Sequence, residues 1–367
     1  MQVGILKEAG DSRVAMVPAT AKKMIAAGYQ LTIETGAGEG AYFPDAAYEE
    51  VGCAIASRGE VLAQAEMLIA ISAPPLPELK TLKAGTAVLA MFNPLIDKEL
   101  AAEVAKLEIW PFSLDRVPRT SIAQSMDILS SQASLAGYKA VLEAANRLPS
   151  YFPMLMTAAG TIPPAKVLIL GAGVAGLQAI ATARRLGATV EAFDVRSAVK
   201  EEVQSLGAKF VEVEGALEDA AAGGYAVEQS EEYKQRQKAL IHERAARADV
   251  IITTANIPGR KAPLLIEAAT VEAMKPGSVI VDLAAATGGN CAFTQNNEEV
   301  THQGVRILGN SNLPGEMPRD SSILYSNNVL SFVKYVFAKG KDGVDFANEI
   351  VTGTWIGAPR PQPAAQE

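Results

Sequence analysis

The stretch AKVLILGAGVAGLQAIATARRLGATVEAFD, residues 165–194, decides the fold. The short apolar run Val167–Leu170 reads as a buried strand, and LQAIATARRLG reads as a helix. TVEAF, a second strand, ends in Asp194, 18 positions after Gly176. Between the first strand and the helix lies GAGVAG, with Gly171, Gly173 and Gly176 at the three glycine positions of G-x-G-x-x-G. Gly171 permits a tight turn, Gly173 lets backbone N–H groups approach a pyrophosphate at the positive end of the helix, and Gly176 lets helix and strand touch. Asp194 is placed to accept hydrogen bonds from an adenosine ribose and to repel a 2′-phosphate, so NAD(H) is expected over NADP(H). Arg196, two positions on, suits a 2′-phosphate and keeps NADP(H) as the second possibility. GAGEGA at 36–41 fits the same loose pattern, but Pro44 follows and no helix pattern opens, so a turn-rich loop is expected there.

Outward from this unit the same alternation continues. Towards the C-terminus come DVIITT, SVIVDL and VRILG as further strands of one doubly wound half. Towards the N-terminus, QLTIET, MLIAIS, TAVLAMF and LEIWPF read as strands, with helices at 18–28, 57–65 and 97–106 between them. Strand and helix in alternation imply a parallel sheet covered on both faces. The expectation is an α/β protein of two Rossmann-like, doubly wound domains with a cleft between them. The stretch 121–147 reads as one or two helices opened by a capping Ser121, leading into a proline-rich joint at 151–165. A helix at 326–340 is expected to return to the first domain and make it discontinuous. The domains would then be 1–125 with 326–367, and 126–325.

The 367 residues allow two domains, each with its own core. With 33 Lys and Arg against 41 Asp and Glu, the net charge of −8 disfavours nucleic acid and anionic lipid as partners. Two distant cysteines, Cys53 and Cys291, support neither a disulfide framework nor a zinc site. No apolar run approaches the ~20 residues that cross a bilayer, so the chain reads as a soluble cytoplasmic protein without direct membrane insertion.

Residues 119–137 (RTSIAQSMDILSSQASLAG), 156–188 and 194–210 resemble the NAD(H)-binding component of proton-translocating nicotinamide nucleotide transhydrogenases. The likeness runs on through AGGYA, TTANIPGRKAP, MKPGSVIVDLA and GGNC, and alanine dehydrogenases share the two-domain plan. The resemblance implies NAD(H) on this chain and NADP(H) on a partner subunit, with hydride passing directly between the two nicotinamides. It also implies separate membrane-embedded subunits that handle the proton, a peripheral position on the inner face of the membrane, and a homodimer. A chain of this length without a spanning helix resembles the split alpha-1 type of subunit.

By the same resemblance Arg119, Gln124, Asp127 and Ser130 face the nicotinamide as the catalytic set. Val174, Asp194, Val195 and Arg196 lie on the adenosine side, and Ala255 and Asn256 meet the nicotinamide end. Gly224 and Tyr225, in an insertion at roughly 216–249, correspond to a loop that closes over nucleotide. An acidic excursion before a helix explains that insertion equally well. Gln124, Asp127 and Ser130 are spaced three apart, which on a helix lines one face; an ordinary polar face fits the same spacing.

Direct transfer between two nicotinamides needs apposition to about 3–3.5 Å and no acid or base. Alanine dehydrogenases use an Arg, a Lys, a His and an Asp. Here Arg13 stands at the first position, while the other segments read APPLPEL, LAMFNPL with Phe92 and Asn93, and LAAATGG with Ala286 aligned to the Asp. The two histidines, His242 and His302, fall elsewhere. Arg13 is then either a structural ion-pair partner or a relic of substrate binding. An alanine dehydrogenase-like enzyme and a non-catalytic NAD-binding module remain the rival functions.

Overall fold

The computed structural model describes residues 1–213 and 230–358. The chain divides into two compact units, Met1–Gln132 with the segment that begins at Gly315, and Ala133–Pro314. In the first, β1 (Gln2–Ile5), β2 (Gln30–Glu34), β3 (Ala54–Ala56), β4 (Met67–Ser72), β5 (Ala87–Met91) and β6 (Trp110–Ser113) form a sheet in the order β3-β2-β1-β4-β5-β6. All of its pairings are parallel.

Strand periodicity explains why this sheet is covered on both faces. Met67, Ile69 and Ile71 of β4 pack into one cluster with Phe332 and Val333, while Leu68 and Ala70 pack into another with Val61 and Leu79. Side chains that alternate in direction are apolar at every position, as buried parallel strands require.

The helix expected at 326–340 runs instead from Pro318 to Val336. A proline in its first turn pre-sets φ and has no N–H to leave unpaired, so the helix can open eight residues earlier. Its polar residues stitch it into the first unit: Tyr325 Oη donates to Ala70 O at 2.9 Å, and Ser322 and Ser326 accept from the Val14 and Val17 N–H groups.

The second unit opens with a hairpin, β7 (Leu155–Thr157) and β8 (Gly160–Ile162), where the proline-rich sequence suggested an irregular joint. Its sheet then uses β9 (Lys166–Leu170), β10 (Thr189–Phe193), β11 (Lys209–Val211), β12 (Val250–Thr253), β13 (Val279–Asp282), β14 (Glu299–His302) and β15 (Val305–Leu308). The order is β11-β10-β9-β12-β13-β15-β14, and only β14 runs antiparallel. Strand order reverses between β9 and β12, and doubly wound sheets bind ligands outside the carboxyl ends at such a point. The chain is thus an α/β protein of two doubly wound units, the first of them discontinuous.

GAGEGA forms a turn and a short 3-10 segment, Glu39–Ala41, as expected of a loop. A different glycine decides how closely two helices of the second unit meet. A Cβ on Gly137, in the helix Ile128–Arg147, would lie 2.1 Å from the carbonyl oxygen of Ala175. Replacement of Gly137 by Ala is expected to destabilise the chain by about 1–3 kcal/mol, as overpacking does. Gly59→Ala, on an exposed helix with open space around it, should stabilise it by roughly 0.5–1 kcal/mol. Thermal denaturation of the two variants beside the parent checks both signs.

Candidate functional site

At the carboxyl end of β9 the chain turns through Gly171, whose φ of +103° belongs to the left-handed region. A Cβ there would meet Thr254 Oγ1 at 2.4 Å, so only glycine fits. Gly176 sits on the first turn of the helix Val174–Arg185, where a Cβ would lie 1.9 Å from Gly171 O. Around Gly173, in contrast, nothing lies within 4 Å of where a Cβ would be. Gly173 is also the N-cap of this helix, no side chain caps it, and no acidic residue stands in its first turn. Two glycines therefore serve contact within the protein, and the third leaves open space at the positive end of a helix. That arrangement fits a dinucleotide pyrophosphate. Val174 stands beside it, about half exposed.

Asp194 follows β10 and ties the turn to the next strand. Its Oδ2 accepts from the Ala172 N–H at 2.7 Å and from Arg196 Nη2 at 2.7 Å. Its Oδ1 accepts from the Arg196 N–H and Nε, both at 2.9 Å. A carboxylate offers about four lone-pair sites, and these four donors use them all. The Asp194 carboxylate in turn holds the proton of the Arg196 guanidinium more firmly than usual. A ribose hydroxyl can bond Asp194 only if Arg196 yields one of its contacts. Val195, between them, is partly buried against the core.

The loop after β12 closes the same edge. Thr254 Oγ1 donates to Gly171 O at 2.9 Å and the Thr254 N–H to Leu170 O at 2.8 Å, which brings Ala255 beside the phosphate turn. Asn256 is exposed and accepts from Thr287 Oγ1 at 3.1 Å. Gly171, Gly173, Val174, Gly176, Asp194, Val195, Arg196, Ala255 and Asn256 thus belong to one unit and to one edge of its sheet. Gly224 and Tyr225 lie outside the described residues.

Arg119, Gln124, Asp127 and Ser130 belong to the first unit, and they do not share one helical face. Gln124 lies in a 3-10 turn, Gln124–Met126, and Asp127 is extended with φ −75° and ψ 91°. The helix begins only at Ile128, so Ser121 is not its cap. The physical reason is Asp127 itself: its Oδ1 accepts from the Ser130 N–H at 2.9 Å and its Oδ2 from Ser130 Oγ at 2.6 Å. A side chain that satisfies the third N–H of a helix marks its N-cap and stops the helix from extending backwards. Asn328 secures the turn, donating from Nδ2 to Ser125 O at 2.8 Å and accepting from Ser131 Oγ at 2.7 Å. Gln124 and Arg119 are left exposed.

Arg13 is buried, with Nη2 2.6 Å from Asp11 Oδ2, Nε on both Asp11 oxygens, and Nη1 donating to Gln132 Oε1 at 2.9 Å. Those partners make it a structural ion pair. Phe92 is fully buried, Asn93 takes a positive φ of 49°, and Ala286 is exposed. His242 Nδ1 lies 3.0 Å from Thr270 Oγ1, and His302 stacks on Phe293 with 3.8 Å between centroids. Sequence reasoning missed Thr254, Asp282 and Asn290 as functional residues. The one signal for Asp282 was that it ends a strand with an acid, as Asp194 does.

These features define a class, the two-unit α/β proteins with a dinucleotide turn in one unit. The profile of the alanine dehydrogenase/PNT N-terminal domain matches residues 4–136, and that of the C-terminal domain matches 140–357. The chain belongs to the alanine dehydrogenase/PNT family. The first of the split NAD(P) transhydrogenase alpha subunits of Rhodospirillum rubrum is 44% identical over 343 residues, 91% of this chain and 89% of that one. NAD(P) transhydrogenase subunit alpha of Haemophilus influenzae is 42% identical over 362 residues, 97% of this chain and 70% of that one. An alanine dehydrogenase of Staphylococcus epidermidis is 27% identical over 350 residues, 93% of this chain and 88% of that one. Among solved structures, the transhydrogenase from Sinorhizobium meliloti matches with a TM-score of 0.89 and 40% identity, over 98% of this chain and 99% of that one.

The capping geometry has a direct test. Asp127→Ala is expected to cost about 1 kcal/mol of stability, while Asp127→Asn, which keeps an acceptor, costs less. Equal losses in chemical denaturation would refute the cap.

Proposed function

We propose that this chain is the NAD(H)-binding subunit of a proton-translocating NAD(P) transhydrogenase, exchanging hydride with NADP(H) held on a partner subunit. The observation that carries the reading is the likeness over nearly the whole chain, at 42–44% identity, to transhydrogenase alpha subunits, against 27% to an alanine dehydrogenase. When bound, a dihydronicotinamide dinucleotide supplies the transferable hydride. The chain's own residues bind and orient it. Gly171, Gly173 and Gly176 shape the cradle for the pyrophosphate, and Val174, Asp194, Val195 and Arg196 receive the adenosine end. Ala255 and Asn256 receive the nicotinamide end, and we assign Gln124 and Arg119 to the ring, with Asp127 and Ser130 holding the start of their helix. None of these groups has to move a proton, because hydride passes between two rings without one.

The geometry supports this over an amino-acid dehydrogenase. Such an enzyme needs a free guanidinium for the substrate carboxylate and a base for water, whereas Arg13 is committed to Asp11 and Gln132, and Phe92 and Ala286 cannot exchange protons. Membrane-embedded partners would carry the proton, since no helix among the described residues is long and apolar enough to cross a bilayer. Through those partners the chain would sit at the inner face of the membrane. A homodimer belongs to the same proposal: the hairpin β7–β8 leaves Met156 73% exposed, and a two-stranded hairpin alone is marginal in water.

Two experiments test the reading. Mixed with an NADP(H)-binding subunit, the purified chain should speed reduction of an NAD analogue by NADPH, and should yield no NADH from alanine and NAD+. Robust alanine oxidation, or no stimulation of transfer, would sink the proposal. Arg196→Ala frees lone pairs on Asp194 and removes the cation that suits a 2′-phosphate. The ratio of NADPH to NADH dissociation constants should therefore rise, by roughly tenfold for one charge-assisted contact; an unchanged ratio in titration calorimetry counts against the assignment.

A further inference from the structure

Asp282 ends β13 and is wholly buried, yet it faces no cation among the described residues. Neutral donors surround it instead. Its Oδ1 accepts from Thr253 Oγ1 at 2.9 Å and the Ala284 N–H at 3.0 Å. Its Oδ2 accepts from the Asn290 N–H at 2.6 Å, the Cys291 N–H at 3.1 Å and Thr294 Oγ1 at 2.6 Å. The chain wraps the carboxylate by way of Gly288 and Gly289, both at positive φ, and a Cβ on Gly289 would lie 2.8 Å from Oδ2. Five donors and two left-handed glycines are a costly way to bury a charge, and apolar packing commonly stabilises such a place as well or better.

The arrangement has an output. Asn290, also wholly buried and held by Asp282 through its backbone, clamps the Ala255 peptide from both sides. Its Oδ1 accepts from the Ala255 N–H at 3.1 Å, and its Nδ2 donates to Ala255 O at 2.8 Å and to Pro263 O at 2.8 Å. Both amide hydrogens of the carboxamide are used. Ala255 adjoins Thr254, whose hydroxyl holds the Gly171 carbonyl. An unbroken chain of contacts therefore runs from the buried carboxylate to the loop beside the phosphate turn.

We propose that Asp282 and Asn290 are positioning residues: the carboxylate fixes Asn290, and Asn290 fixes the Ala255 peptide so that its loop meets the nicotinamide end of the dinucleotide. This rests on the coenzyme reading above. Neither residue touches the coenzyme; they act through Ala255 and Asn256.

The test compares NADH with ADP-ribose, which keeps the adenosine and pyrophosphate but lacks the nicotinamide. In Asn290→Asp the carboxamide's two donations are lost and a carboxylate faces two carbonyl oxygens. The dissociation constant for NADH should rise roughly tenfold or more, while that for ADP-ribose stays within about twofold. Thr294→Val removes one of the five donors to Asp282 and should show the same split at a few-fold, so a variant at 290 that fails to fold does not shield the proposal. Equal weakening of both ligands in Thr294→Val would mean general loosening and overturn the inference, as would no change in either. A parent chain that binds neither ligand refutes the coenzyme reading itself, before any variant is compared.

Discussion

The second unit depends on one close backbone approach. The helix Val174–Arg185 lies so near the turn at the end of β9 that any side chain on Gly176 would strike the Gly171 carbonyl at 1.9 Å. That contact aims the helix N-terminus along the carboxyl edge of the sheet. From it follow the uncapped first turn, the open space at Gly173 and the reach of Ala172 to Asp194. Phosphate recognition here is a consequence of backbone packing, with side chains in a supporting role.

Two acids end neighbouring stretches of that edge and are stabilised in opposite ways. Asp194 is paired with a cation, Arg196, on a side chain that can swing away. Asp282 is sealed among neutral donors contributed by five different residues. The first is suited to exchanging partners with a ligand, the second to holding loops in register. In the first unit the ionic group Arg13 is likewise spent on internal structure, and the helix start at Asp127 is closed by Ser130. The polar groups of this chain are invested in orientation, which agrees with a reaction that asks for apposition and not for proton transfer.

Much of this was legible from residues alone. The turn at 171–176 and the acid at 194 follow from local pattern, because glycine spacing and strand periodicity act over a few residues. Other parts were not. Arg13 had two readings until its buried contacts with Asp11 and Gln132 chose between them. Asp127 looked like one position on a helical face and proved to be the cap, since i to i+3 spacing reads the same inside a helix and at its start. The helix at Pro318 opened earlier than its apolar pattern, its first turns being anchored by serines to Val14 and Val17 some 300 positions away in the chain, at separations of 308 and 309. Asn290 carried no local signal at all.

The sequence by itself determined two parallel, doubly wound sheets, a glycine turn built for a dinucleotide and the lack of a complete amino-acid dehydrogenase set. Each of these depends on which residue types stand at short, regular spacings. Only the tertiary structure decided that Arg196 saturates Asp194 and that Asn290 grips Ala255 across 35 positions. Hydrogen bonds between distant strand ends depend on where the sheet brings those ends together, and periodicity along the chain holds no record of that.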